Sequence, residues 1–343
     1  MTSLVQRLVT VRPLAPGAGW VAVRVGVSVL VPLLFLVSID HVDWTLYATF
    51  GAFTSLYGRK RVDFPRVVRQ GLAGLGLVVC VALGSLVTIS DAREWVAIPI
   101  AAVIAVVASY VSAYRELIPS GSLFQVFGFA AVASVPARAS DLVPAIIVAS
   151  ASALFAVVVG SLGSLARRAR HITAEHVPEH PIGGPHPGIR LYAVQSGIGV
   201  AVAGTIATAS GVGRPYWAMI SAVVPLMAFD FGSQLVRGLH RVIGTLIGLG
   251  VAWLLLEIDL PDAAVVAFVA GLQLLTELLV GRNYALALVC ITPLALLIVH
   301  LAAPVIPIHE LLADRGLETV IGVAIGLLVG YVTKPRGVAT AAA

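Results

Sequence analysis

One arrangement of residues occurs twice in this chain. Residues 43–77 and 215–251 each hold a short apolar span led by tryptophan, then a basic stretch, then a glycine-rich apolar span. Trp44 and Trp217 stand 173 residues apart, and so do Gly71 and Gly244. That step is half of a 343-residue chain. A duplicated apolar unit of this kind is the ground plan of transporters and channels.

Lipid must be the solvent for most of the chain. Its mean hydropathy is +1.00. Charged residues make up only 11%, whereas soluble domains carry about a quarter. The net charge of +5 does not point to nucleic acid, because the basic residues fall in short segments between apolar spans. Cys80 and Cys290 sit inside such spans, where packing is the expected role. The expected fold is all-α: a polytopic membrane protein of about 12 transmembrane helices in two parallel six-helix repeats. The spans are read as 19–39, 43–58, 71–90, 94–114, 119–140, 142–165, 189–211, 215–231, 242–258, 261–281, 283–302 and 319–335. Most match the roughly 20 residues that cross a bilayer.

Arginine and lysine set the orientation. With the N-terminus inside, sixteen of the 22 basic residues fall in inner segments. Four, Arg93, Arg138, Arg214 and Arg315, fall in outer ones, and Arg24 and Arg190 lie within spans. The outer segments collect acids, among them Asp141, Glu310, Asp314 and Glu318. Both termini are therefore expected in the cytoplasm, with the body in a bacterial inner membrane. Residues 1–18 form a cytoplasmic N-terminal segment. Arg7 and Arg12 precede a full-length span without a small-residue cleavage site, so a retained first helix is expected. Residues 19–165 form the first repeat, 166–188 a cytoplasmic linker, 189–335 the second repeat and 336–343 a tail. The linker is polar and rich in Pro, Gly and His. His171, His176, His180 and His186 are too loosely spaced for a metal site, and a solvated linker is expected. No metal and no cofactor is expected.

Charges within spans are costly and face a bundle interior or water. Arg24 and Arg190 begin the first span of each half. Each reads either as a snorkelling residue or as one of a pair of cationic entrances for an anion. Glu277, on the polar track Gln273–Thr276–Glu277, and Asp230 read either as salt-bridge partners or as proton-coupling carboxylates. Gly71, Gly244, Gly248, Gly322 and Gly326 are expected to let helices approach closely. Thr292-Pro293 hints at a lumen, because proline frees a carbonyl within a helix. Trp44, Tyr216 and Trp217 read as interface anchors. No nucleophile elbow, phosphate loop or in-span histidine pair appears, so no enzyme is expected.

The second half resembles the fusaric acid resistance family, which is related to aromatic acid exporters. The resemblance rests on Pro215-Tyr216-Trp217-Ala218, on Arg241 to Gly248, on Arg282-Asn283-Tyr284-Ala285-Leu286-Ala287 with Thr292-Pro293, and on Glu318-Thr319-Val320-Ile321-Gly322. The first half keeps Trp44 and its glycines but departs elsewhere, with Tyr57 opposite Asp230. The resemblance implies efflux of small organic acids and kinship with plant aluminium-activated malate channels. Three readings follow. The leading one is a proton-linked exporter of aromatic or other organic anions, with Arg24, Arg190, Arg241, Arg282, Tyr284 and Thr292 along the path and Asp230 or Glu277 coupling protons. The others are a passive anion channel and a non-transporting membrane scaffold. The expected partners are the lipid bilayer and a small organic anion, and the duplicated chain reads either as a monomer or as one copy in a homo-oligomer.

Overall fold

In lipid an apolar run must bond its own backbone, and a helix is the single-segment solution. A computed structural model describes residues 4–58, 64–169, 188–228 and 230–333, and these are helical without a strand. A short helix α1 (Leu4–Val9) precedes twelve others. They are α2 (Ala18–Ser38), α3 (Thr45–Ala52, extended by a 3-10 turn to Leu56), α4 (Phe64–Val87), α5 (Arg93–Tyr114), α6 (Leu123–Ser134) and α7 (Leu142–Ala169). After the linker come α8 (Ile189–Ala209), α9 (Tyr216–Leu226), α10 (Phe231–Leu256), α11 (Asp262–Leu279), α12 (Tyr284–Ala302) and α13 (Ile308–Val332). Among the described residues nine helices are long and apolar enough to cross a membrane. The chain is a multi-pass membrane protein.

Three helices, α3, α6 and α9, are too short to cross alone. The eleven residues of α9 rise only about 17 Å against a hydrocarbon core of about 30 Å. All of α3 and all of α9 are buried, and so is most of α6 and α12. These four form the centre, and the longer helices surround them with their apolar outer faces.

Neighbour relations in α2–α7 recur six helices later. Helix α3 packs on α7 as α9 does on α13; α4 packs on α6 and α7 as α10 does on α12 and α13; α6 meets α9 as α12 meets α3. The first helix of each half crosses to the other half: α2 lies on α11, and α8 lies on α5. Small residues mark both crossings. Gly26 faces Ala270 and Leu274, and Gly197 faces Ala102 and Val106. Helices α2–α13 alternate in direction, so Leu4 and Thr333 lie at one face. There α1 and its tail are tied down: Asn283 donates to the carbonyls of Leu8 and Thr10, and Arg282 donates to Arg12.

Several helices differ from the spans read in the sequence. Helix α13 starts at Ile308, not 319, so Glu310, Asp314, Arg315 and Glu318 are helical rather than in an outer loop. Helices α4 and α10 start at Phe64 and Phe231, which puts Arg66, Arg69, Arg237 and Arg241 on helices. In each case hydropathy falls where the 3.6-residue pattern continues, because charged side chains take inward positions in that pattern. Helix α6 is shorter than its span of 119–140.

Glycine sets the tightest crossings. A Cβ on Gly244 would lie 2.5 Å from the Ala285 carbonyl oxygen, and one on Gly248 would lie 2.7 Å from Thr292 Cβ. Cβ atoms on Gly322 and Gly326 would strike the carbonyl oxygens of Ala218 and Ala222. Gly71 does not share this role. It faces outward with nothing within 4 Å, and in α4 the close approaches fall at Gly74 and Gly84. Backbone oxygens on α9 cannot swing aside, so Gly322→Ala is expected to destabilise the detergent-purified protein by about 1–3 kcal/mol, the usual cost of overpacking. Gly71→Ala is expected to leave the melting temperature unchanged or slightly raised.

Candidate functional site

The upper turns of α13 hold the start of α9 through charge. The N–H groups of a helix's first turn have no partner within the helix and carry partial positive charge. Here Glu318, fully buried, accepts from the backbone N–H of Arg214 at 2.9 Å and of Ala218 at 3.3 Å. One turn earlier Asp314 pairs with the Arg214 guanidinium. Between these two acids lies Arg315, 1% exposed, its guanidinium carbon 3.9 Å from the centre of the Trp217 ring. Among the described residues Nε and Nη1 of Arg315 find no hydrogen-bond partner. A buried polar group left this way costs about 1–3 kcal/mol, and more when charged. Stacking on the face of tryptophan offsets part of that.

A second buried arginine stands close by. Arg241 of α10 directs Nε and Nη2 to the Ser221 hydroxyl, both at 3.3 Å. Arg241 and Arg315 thus meet α9 one turn apart, at Ser221 and Trp217. Arg237, one turn before Arg241, lies 5.0 Å over the Tyr284 ring.

Among the described residues the first half has no such cluster. At the 173-residue step Leu142 stands opposite Arg315 and Ala145 opposite Glu318, while Asp141 matches Asp314. Trp44, half-buried, is instead covered by His41, stacked at 3.9 Å. The first half buries its charge at the face that bears the chain's ends. Arg24 donates to the Ser55 carbonyl at 3.1 Å, Gln70 donates to the Thr54 carbonyl at 3.2 Å, and Arg66 is buried beside Gln70 and Gly160.

Aromatic rings fill the centre between these two regions. Tyr57 and Phe53 meet Phe124, Phe50 meets Phe53 and Phe127, and Phe127 meets Trp217 at 5.2 Å. Phe127 belongs to the first half and Trp217 to the second, so this contact closes the seam between them. At the face away from the chain's ends, a pocket of about 230 Å³ opens above the seam, lined by Arg93, Glu94, Ser134, Arg214, Tyr216 and Ile306 among others.

Residues 201–329 match a family model described as fusaric acid resistance protein-like. That stretch resembles the fusaric acid resistance family. It runs from α8 into α13 and contains Trp217, Arg241, Arg315 and Glu318. A segment of 141 residues is 33% identical to the uncharacterized membrane protein YvaC of Bacillus subtilis (strain 168). The segment covers 41% of this chain and 22% of that relative, so the chain spans about a fifth of the relative's length. No solved structure matches.

Around the fusaric acid resistance-like stretch, the residues expected from sequence take different places. Arg241 and Glu277 are buried, and Glu277 accepts from Gln273 at 3.4 Å. Arg24 is buried but Arg190 is exposed, so the two do not form a matched pair. Arg282 is half-buried and holds the N-terminal segment. Thr292 lies in the α10–α12 crossing against Gly248, enclosed by packing rather than facing a lumen. Tyr216 and Trp217 are not interface anchors; both are buried. Asp230 is exposed and caps α10, accepting from the Ser233 N–H at 2.9 Å. The linker histidines lie outside the described residues, and among those described no cluster suits a metal. The sequence reading missed Arg315, Glu318 and Arg66. The signal was present for two of them: Leu311, Arg315, Glu318 and Gly322 follow steps of four, three and four along one helix face.

Asp230 does not suit proton coupling. Hydrogen bonds from the Ser233 side chain and N–H, with the nearby charge of Arg7, hold its carboxyl below the ordinary carboxylate range. A lowered pKa contributes stability above the unfolded value, and that contribution is lost as pH falls through the folded one. Asp230→Ala is expected to cost about 0.5–2 kcal/mol at neutral pH, as a lost helix cap does. The difference from wild type should close on acidification, read as melting temperature against pH.

Proposed function

We propose that this protein is a transporter that carries small organic anions out of the cell, with the face bearing both chain ends in the cytoplasm of a bacterium and the body in its inner membrane. One observation supports this above the others. Among the described residues the buried interior holds four arginines, Arg24, Arg66, Arg241 and Arg315, against two glutamates, Glu277 and Glu318. Charge within a bilayer is costly and is kept where a pathway uses it. A net positive interior of low dielectric draws anions and repels cations. The fusaric acid resistance-like match of residues 201–329 supports the same reading.

The aromatic seam favours a carrier over a standing-open channel. Phe127 meets Trp217 across the seam, and the pocket lies on the side away from the chain's ends. Passage then requires the central helices to shift, as alternating access does. Glu277, buried on α11, is the carboxylate to which this reading assigns proton coupling. The same filled seam also favours a second reading, a non-transporting membrane scaffold.

Efflux of benzoate from proteoliposomes separates these readings. Wild-type vesicles are expected to release benzoate, faster when a pH gradient is imposed. Arg241→Gln should slow release at least tenfold. Glu277→Gln should abolish the response to the gradient while downhill release persists. Release that ignores the gradient in wild type rules out proton coupling. No release from correctly folded protein rules out transport and leaves the scaffold.

A further inference from the structure

We propose that Arg315 and Arg241 together bind the carboxylate of a small organic acid beside Trp217 and Ser221. This deepens the transport reading and rests on it for the site's purpose. The donors are already in place. Arg315 is 1% exposed, and its Nε and Nη1 point N–H groups at no acceptor. Among the described residues no carboxylate lies within 4.0 Å of it. Among the described residues Arg241 bonds the Ser221 hydroxyl alone, at 3.3 Å, a neutral acceptor that a carboxylate would outcompete.

Charge favours an anion. Arg315 and Arg241 meet α9 one turn apart, at Trp217 and Ser221. The oxygens of Glu318 are engaged by the N–H groups of Arg214 and Ala218. The guanidinium donors that remain suit a carboxylate. The flat walls favour a small or aromatic acid: Trp217 lies under Arg315, and Tyr284 lies under Arg237. Tyr216, the chain neighbour of Trp217, lines the outer pocket, which is the approach assigned to the ligand. With Leu142 and Ala145 at the matching positions, the first half offers no second copy of this site.

The test uses full-length protein in detergent, with benzoate and acetate as probes and chloride at equal ionic strength as comparison. Ligand that binds only the folded state raises the melting temperature. Benzoate and acetate are expected to raise it in wild type, and chloride is not. Arg315→Lys keeps the charge but loses the planar donor set, and should need at least tenfold more benzoate for the same shift. Arg315→Gln should show no shift; should that variant fail to fold, the lysine variant carries the test. An equal shift from chloride, or an unchanged benzoate dependence in Arg315→Lys, overturns the site. The vesicle assay separates the two proposals. Benzoate release that is equally concentration-dependent in wild type and Arg315→Lys overturns the site and leaves transport standing. Binding that depends on Arg315 without any release in wild type supports the site and removes transport.

Discussion

A guanidinium buried among hydrocarbon must be held by something, and in this protein that need organises the second half. Arg315 lies on Trp217 between Asp314 and Glu318, and those acids grip the first turn of α9. Helix α9 is short, wholly buried and without lipid contact of its own. Its position is therefore set at one end by charge on α13 and along its length by the glycines of α13, which bring the two backbones together. A buried charge cluster of this kind is poor evidence for stability, since desolvation offsets much of the attraction. It is better suited to defining one arrangement among several.

Much of the architecture was legible in the chain itself. Apolar runs of membrane length marked nearly every long helix, and the spacing of Trp44 and Trp217 marked the two halves. The glycines at 244, 248, 322 and 326 lie at tight crossings because a small residue every fourth position creates a groove on one helix face. Gly71 shared the spacing of Gly244 but not its neighbours, since repeat position does not fix which face a partner covers.

The site was harder to read. Hydropathy treats Asp314, Arg315 and Glu318 as the end of a span, whereas their partners Arg214, Trp217 and Ala218 lie about a hundred residues earlier. No local pattern encodes such a pairing. Arg24 and Arg190 began equivalent spans, but one turns inward to Ser55 and the other turns outward. A difference of helix rotation cannot be read from position in a span. Asp230 looked like a titrating group and proved to be a helix cap, a role visible in the serine three residues on.

The crossed first helices constrain how such a protein can come apart or arise. Because α2 rests on α11 and α8 on α5, neither six-helix segment can complete itself alone. An isolated half would leave its opening helix without a cradle and its fourth helix bare, unless a second copy supplied both. Two separately expressed halves should therefore assemble only by exchange, and a single-unit forebear of this fold would have lived as a pair.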